Sequence, residues 1–228
     1  MASPQPPVPS SQPLILASRS PRRRELLTEA GYEFQVVAAS EDVECGVCSE
    51  TAPAALVTDL AFRKARAVRR QLLANPQSAI RNPKSYIVLA ADTVAECDGF
   101  ILGKPRDEAH ARAMLSQLSG REHRVLTGVC LWPISLPLPS GEGWGEGTPL
   151  VRVAVTRLRM DRLTDAQLDE YLASGAWEGK AGAFGYQDRL GWVHIVEGSE
   201  SNVVGLPMEL LAEMLTELQA KPQANYKA

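Results

Sequence analysis

The chain has no run of about 18 consecutive apolar residues, so it offers no candidate membrane-spanning helix. It also lacks the basic and apolar segments of a signal peptide. Its start, "MASPQPPVPSSQP", reads instead as a disordered proline-rich tail over residues 1–13, and the expected compartment is the cytoplasm. There is no basic excess: 24 Lys and Arg against 27 Asp and Glu leave a formal charge of -3, so no partner nucleic acid is expected. Cysteine is scarce. Cys45, Cys48, Cys97 and Cys130 are too few for a disulfide scaffold in a chain of 228 residues. "CGVC" (Cys45 to Cys48) has redox or half-zinc spacing, but it falls in an acidic loop and no second pair completes a zinc site, which favours inert thiols. The three histidines, His110, His123 and His194, show no metal-ligand spacing, and no Walker loop, GxGxxG or HExxH occurs.

The hydrophobic content of 45% is enough for one large α/β domain, placed at residues 14–220 and followed by a C-terminal tail at 221–228. Leu14 to Ala17 reads as a short buried strand, and Ser20-Pro21 marks a helix N-cap with proline at the first helical position. "YEFQVVAA" is a strand, Pro53 to Leu73 a helix, and "SYIVLAADTVAE" a buried strand ending at a hairpin turn on Asp98-Gly99. A helix over Asp107 to Leu118 precedes two alternating strands, "HRVLTGVCLW" and "VRVAVTRLRM". The Pro- and Gly-rich stretch between them, 133–149, is expected to be a flexible insert. Thr164 and Gln167 form a capping box for another helix, "GWVHIVEGS" is a late strand, and Pro207 starts a last helix with Met208, Leu211, Leu215 and Leu218 inward. Strands and helices interleave without strict βαβ rhythm, which predicts a mixed sheet flanked by helices.

Three features carry chemistry. Arg22, Arg23 and Arg24 fall in the first turn of a helix, whose dipole already disfavours cations there; an anionic ligand resolves that conflict. Asp92 ends an apolar strand at a sheet edge of the kind where α/β proteins bind ligands, and hairpin counting sets Thr93 opposite Lys104. A structural cap or an ion pair with Lys104 is the plainer alternative for Asp92. Lys64 falls inside the apolar stripe Val57, Leu60, Ala61, Val68, where it needs a counter-charge or must snorkel to the surface. Lys180 sits in a small-residue stretch that permits close backbone approach to a ligand. Cations at a helix start, several lysines and one isolated carboxylate suit a polyphosphate with a general base and a divalent metal. Glu41, Asp42 or Glu44 offers hard oxygen ligands for that metal, an ordinary acidic surface loop being the alternative for all three.

In order along Leu14 to about Leu218, "LASRSPRRRELL", "LAFRKA", "AADTV", "LGKPRD", "LTGV", "KAGAFGYQ" and "EGSESNVVGLP" resemble the successive motifs of the Maf family of nucleoside triphosphate pyrophosphatases. The resemblance implies an elongated two-lobed α/β fold with a central cleft, like the inosine triphosphate pyrophosphatases. It implies metal-dependent cleavage of a nucleotide to monophosphate and pyrophosphate, with Mg²⁺ or Mn²⁺. It assigns Asp92 as proton acceptor and metal ligand, with Asp42 as a second ligand, and places Lys64 and Lys104 with Asp92 in catalysis. Ser18, Arg22, Arg23, Thr93, Lys180 and Gln187 bind substrate, with Arg23 and the lysines around the phosphates. Arg22, Thr93 and Gln187 match the branch acting on dTTP and UTP, not the branch favouring 7-methyl-GTP. "GYQD" departs from the usual Ile-Gln-Gly, and Glu200 replaces a common Tyr. A homodimer is a family expectation, and a non-catalytic nucleotide-binding regulator of cell division is the rival reading.

Overall fold

The structure is a computed structural model that describes residues 12–39, 52–74, 85–135, 147–188 and 190–220. Three long strands set its frame: β3 (Ser85–Cys97), β5 (Glu122–Ser135) and β6 (Leu150–Met160), paired antiparallel. β1 (Leu14–Leu16) and β2 (Phe34–Val36) add parallel to one edge, and β7 (Val193–Glu197) antiparallel to the other. With β4 (Phe100–Leu102), a hairpin partner of β3, the mixed sheet has seven strands in the order β2-β1-β3-β5-β6-β7. Among the described residues the helices are α1 (Pro21–Glu29), α2 (Pro53–Ala74), α3 (Glu108–Leu118), α4 (Asp165–Ala173), α5 (Glu200–Val204) and α6 (Met208–Ala220). The expected mixed α/β architecture is what the chain adopts.

Alternation along β3 assigns its two faces. Tyr86, Val88 and Ala90 face α2, packing with Ala61, Ala65, Val68 and Leu72. Ile87, Leu89 and Ala91 face the other way, onto Leu27 of α1 and Leu211, Met214 and Leu215 of α6. Further along that second face, Ala95 and Cys97 join a separate cluster with Met114, Leu115 and Leu118 of α3 and Tyr171 and Leu172 of α4. Thr93 lies between these two clusters, next to its register partner Thr127 of β5, with their hydroxyls 3.0 Å apart. A polar band therefore divides one face of a continuous sheet into two lobes.

The edge of β3 is divided at the same place. β1 pairs with it as far as Leu16 opposite Leu89, and β4 begins at Leu102 opposite Ala95. Residues 90–94 have no strand partner on that side among the described residues. The Asp98-Gly99 turn forms as expected, with positive φ at both residues (52° and 85°), the geometry of a type I′ hairpin. Glu96, buried opposite Arg124, locks it by accepting from Arg124 Nε at 2.6 Å and from the Gly99 N–H at 2.6 Å. Pairing stops at Leu102, however, so Lys104 is not placed opposite Thr93 by the ladder; the Gly103 carbonyl instead accepts from the Gly182 N–H at 3.0 Å. β2 is also shorter than the alternating run "YEFQVVAA" suggests. The expected insert begins later than its composition implies: Pro133–Ser135 continue β5 opposite Ser85–Ile87, where edge pairing outweighs the proline and serine content.

Gly128 of β5 governs how α2 docks. A Cβ there would lie 2.2 Å from the Val57 carbonyl oxygen, far inside van der Waals contact, so only glycine lets the helix backbone rest on the strand. Gly128 is also the register partner of Asp92, and Lys64 is two turns along α2 from Val57. Gly128→Ala should force α2 off the sheet, destabilise the fold by about 1–3 kcal/mol or more in urea unfolding, and displace Lys64. An unchanged unfolding midpoint would show that the helix has another way to seat.

Candidate functional site

A cleft of about 790 Å³ opens where the β3 edge is unpaired. Proline at its first helical position starts α1, as expected, and Ser20 has the extended backbone of an N-cap, but its side chain makes no capping hydrogen bond. The Ser20 N–H instead donates to Ser18 Oγ at 3.2 Å. The three arginines have different fates. Arg22 forms an exposed pair with Glu25 at 3.1 Å while lining the cleft rim. Arg23 turns inward: Nε donates to the Gly205 carbonyl at 2.7 Å, Nη1 to Ser18 Oγ at 3.1 Å and Nη2 to Thr93 Oγ1 at 3.1 Å. Thr127 Oγ1 donates to the Asn202 carbonyl at 3.2 Å, and Asn202 Nδ2 donates to the Val125 carbonyl at 3.1 Å and Thr156 Oγ1 at 2.9 Å. The polar band between the lobes is thus a connected network, and Arg23 ties α1, β3 and the end of α5 into it.

Across the sheet, Lys64 reaches Asp92. Its Nζ lies 2.5 Å from Asp92 Oδ1, and the two side chains are only 12% and 14% exposed. The lysine therefore does not snorkel away; its inward position on α2 is matched by a carboxylate, as burial of a charge requires. No described residue donates to Asp92 Oδ2. Lys104 also lines the cleft and makes no ion pair among the described residues.

The opposite wall comes from the turn after α4. The N–H of Gly182 on the Gly103 carbonyl brings the Lys180 segment against Lys104, and both lysines line the cleft. Lys180 Nζ donates to both oxygens of Asp188 at 2.6 Å. This half is otherwise apolar, lined by Ala95, Leu118, Val125, Leu158, Phe184 and Val193. His123 stands among them, 6% exposed, with no hydrogen-bond partner for Nδ1 among the described residues.

Of the residues singled out by sequence, Ser18, Arg22, Arg23, Lys64, Asp92, Thr93, Lys104 and Lys180 all line this one cleft. Gln187 lies on the short 3-10 turn Tyr186–Asp188 at its edge, and its side chain falls outside the described residues. Asp42 and its neighbours Glu41 and Glu44 lie outside them as well, as do Cys45 and Cys48. Sequence reasoning missed His123, Asp188 and Tyr171. His123 was findable: it shares the period-2 face of Val125 and Thr127. The Asp188 pairing depends on a turn conformation with no periodic signature.

The cleft's charge contrasts with the chain's. Among the described residues, Arg19, Arg22, Arg23, Lys64, Lys104 and Lys180 line it against Asp92 and Glu178, six cations to two acids, while the whole chain carries -3. Arg19, Arg22 and Arg23 come from the start of α1 and the residues before it, Lys64 from α2, and Lys104 and Lys180 from the opposite, otherwise apolar wall. Among the described residues no group of three or more His, Cys, Asp or Glu could hold a metal by itself, and no helix is long and apolar enough to cross a membrane.

Fold and cleft together define a mixed-sheet α/β protein with a binding cleft lined by both cations and apolar side chains. The chain belongs to the Maf family: the model described as "Maf-like protein" matches residues 13–218. Similar proteins include the dTTP/UTP pyrophosphatase of Rhodopirellula baltica, 52% identical over 209 residues (91% of this chain and 82% of that protein). Those of Symbiobacterium thermophilum and Agathobacter rectalis are 44% and 40% identical over 90% of this chain, covering 94% and 97% of their own lengths. A solved HAM1 protein from Coxiella burnetii aligns with 90% of this chain and 99% of its own at 16% identity, TM-score 0.46.

Burial lowers the pKa of His123 below the ordinary imidazole value, against opposing effects of the Arg121 backbone and the Glu96 charge. The unfolded chain therefore takes up this proton first. The stability that depends on neutral His123 is present above about pH 6.5 and is lost as pH falls below it. His123→Gln should accordingly lose less melting temperature than the parent between about pH 7.5 and about pH 5.5. Parallel slopes for the two proteins would assign the acid sensitivity elsewhere.

Proposed function

We propose that the protein is a nucleoside triphosphate pyrophosphatase that hydrolyses dTTP and UTP to the monophosphate and pyrophosphate. The observation that carries this is the largely buried Lys64–Asp92 pair in a cleft lined by both cations and apolar side chains. A triphosphate tail suits the cations next to the α1 start, and a flat base suits the apolar side chains. The bond between α and β phosphorus then falls near Asp92. In this reading Asp92 Oδ2 accepts a proton from the attacking water while Lys64 holds the carboxylate in place. Lys104 and Lys64 offset the charge that develops on the phosphoryl oxygens, and Arg22 and Ser18 help orient the tail. Arg23 acts through Thr93 and Ser18, because all three of its described hydrogen bonds go to protein oxygens. The names of the relatives and the Arg22, Thr93 and Gln187 matches support the choice of dTTP and UTP.

A divalent cation fits this donor set. Mg²⁺ and Mn²⁺ take hard oxygen ligands, and Mg²⁺ is commonly held by one or two carboxylates together with substrate phosphates. Asp92 supplies one such carboxylate, with Asp42 as the proposed second, so three protein ligands are not required. When bound, the ion would neutralise phosphate charge and polarise the scissile phosphoryl group.

With UTP and Mg²⁺, phosphorus NMR should show UMP and intact pyrophosphate. Orthophosphate as the first product would overturn the proposed bond choice, and binding without turnover would point to a nucleotide-responsive regulator. Asp92→Asn should lower kcat by about 10²-fold or more. A loss of only a few-fold would place the proton acceptor elsewhere.

A further inference from the structure

Asp188 stands where the family pattern has glycine, and the structure gives its carboxylate a defined set of partners at the cleft wall. Besides the two contacts from Lys180 Nζ, Tyr171 Oη donates to Asp188 Oδ2 at 2.9 Å. Lys180 and Asp188 are 19% and 16% exposed, so water competes little for either. Tyr171 is held from behind, its ring centroid 5.7 Å from Phe184 and 5.9 Å from Trp192. Burial and then the Asp188 hydrogen bond push the Tyr171 phenol well above its ordinary range, which keeps it a donor. The ammonium of Lys180 is thus anchored through Asp188 to the aromatic side of the cleft.

An ammonium has three N–H donors and no acceptor. With Lys180 directed at two carboxylate oxygens, one donor is left to serve a ligand. The cleft that Lys180 lines is also lined by Phe184, Val193, Leu158 and Val125, and against such apolar side chains a single fixed donor discriminates strongly. A carbonyl oxygen set against it is satisfied. An amino group in the same place would leave donor facing donor with no water to relieve either. Uracil and thymine carry a carbonyl at ring position 4, where cytosine carries an amino group.

We infer that Lys180, Asp188 and Tyr171 form a base-selecting chain, in which Lys180 donates to a pyrimidine carbonyl oxygen and Asp188 is the positioning residue that aims it. This rests on the proposed nucleoside triphosphate ligand, and it assigns Lys180 to the nucleoside instead of the phosphates.

The test compares UTP with CTP, which share sugar and triphosphate, by equilibrium binding to the full chain without divalent metal. The parent protein should favour UTP by about tenfold or more. Lys180→Met combined with Asp188→Asn leaves no unpaired charge in the wall and should bring the ratio of the two Kd values close to one. Asp188→Asn alone should lower the ratio, and should have no further effect once Lys180 is Met, because it acts through that lysine. A parent ratio near one, or a doubly substituted protein that keeps the parent ratio, overturns the inference. So does an Asp188→Asn effect of equal size with and without Lys180. Should Lys180→Met alone fail to fold, the doubly substituted protein still decides. Because nothing in the measurement requires turnover, a UTP-selective protein that releases no pyrophosphate would sink the proposed reaction and leave this inference standing.

Discussion

The unpaired stretch of the β3 edge is the constraint on which the rest of the site depends. Two strands of opposite sense share that edge, β1 parallel and β4 antiparallel, and neither continues past its own end. Asp92 and Thr93 lie in the interval and, by strand alternation, project to opposite faces. A cleft at this position can therefore draw on both layers of helices at once. Asp92 meets Lys64 from α2, while Thr93 meets Arg23 from α1. Had either neighbouring strand run on to fill the gap, the edge would be closed and those side chains separated by a continuous sheet.

Holding such an opening without collapse needs rigid supports on both faces. On the α2 face the support is close packing: Gly128 removes the spacer that a side chain would impose, and the helix backbone sits against the strand opposite Asp92. On the other face it is hydrogen bonding, with Thr93, Thr127, Thr156, Asn202 and Arg23 linked across five elements. A polar band that separates two apolar clusters would be costly if its groups were unpaired. Its linkage makes the division between lobes affordable, and the division is what leaves room for a ligand.

Local sequence signals located the elements well where one physical cause dominated. Proline after Ser20, the Thr164–Gln167 box and the Asp98-Gly99 turn each specify backbone geometry within a few residues, and all three appear as expected. The inward place of Lys64 followed from helical period alone, although only the structure decided between an ion pair and snorkelling. Extending hairpin register to Lys104 failed because the Gly103 carbonyl is taken by Gly182, a residue almost eighty positions away. The apolar half of the cleft was illegible for a related reason. Its walls come from β3, β5, β6, β7, α3 and the turn after α4, and no periodicity links them. Arg23 has a further role that charge patterning does not show: besides standing as a cation at a helix start, it donates to three protein oxygens that join α1, β3 and the end of α5.

That last result changes the electrostatic argument. If every cleft cation were a ligand for phosphate, the empty site would hold six like charges facing two acids, a self-repelling arrangement in a poorly hydrated space. The structure avoids this by giving several of them partners. Lys64 has Asp92, Lys180 has Asp188, Arg22 has Glu25, and Arg23 has neutral oxygens. Lys104 is left without an ion pair among the described residues. Each of these cations is held in place by a protein partner, which is the kind of preorganisation a charged site needs. An arriving polyphosphate then adds its charge to a fixed frame instead of having to assemble one. The negative character of the chain as a whole is compatible with this, since attraction over the last few ångströms is set by the cleft and not by the sum over the surface.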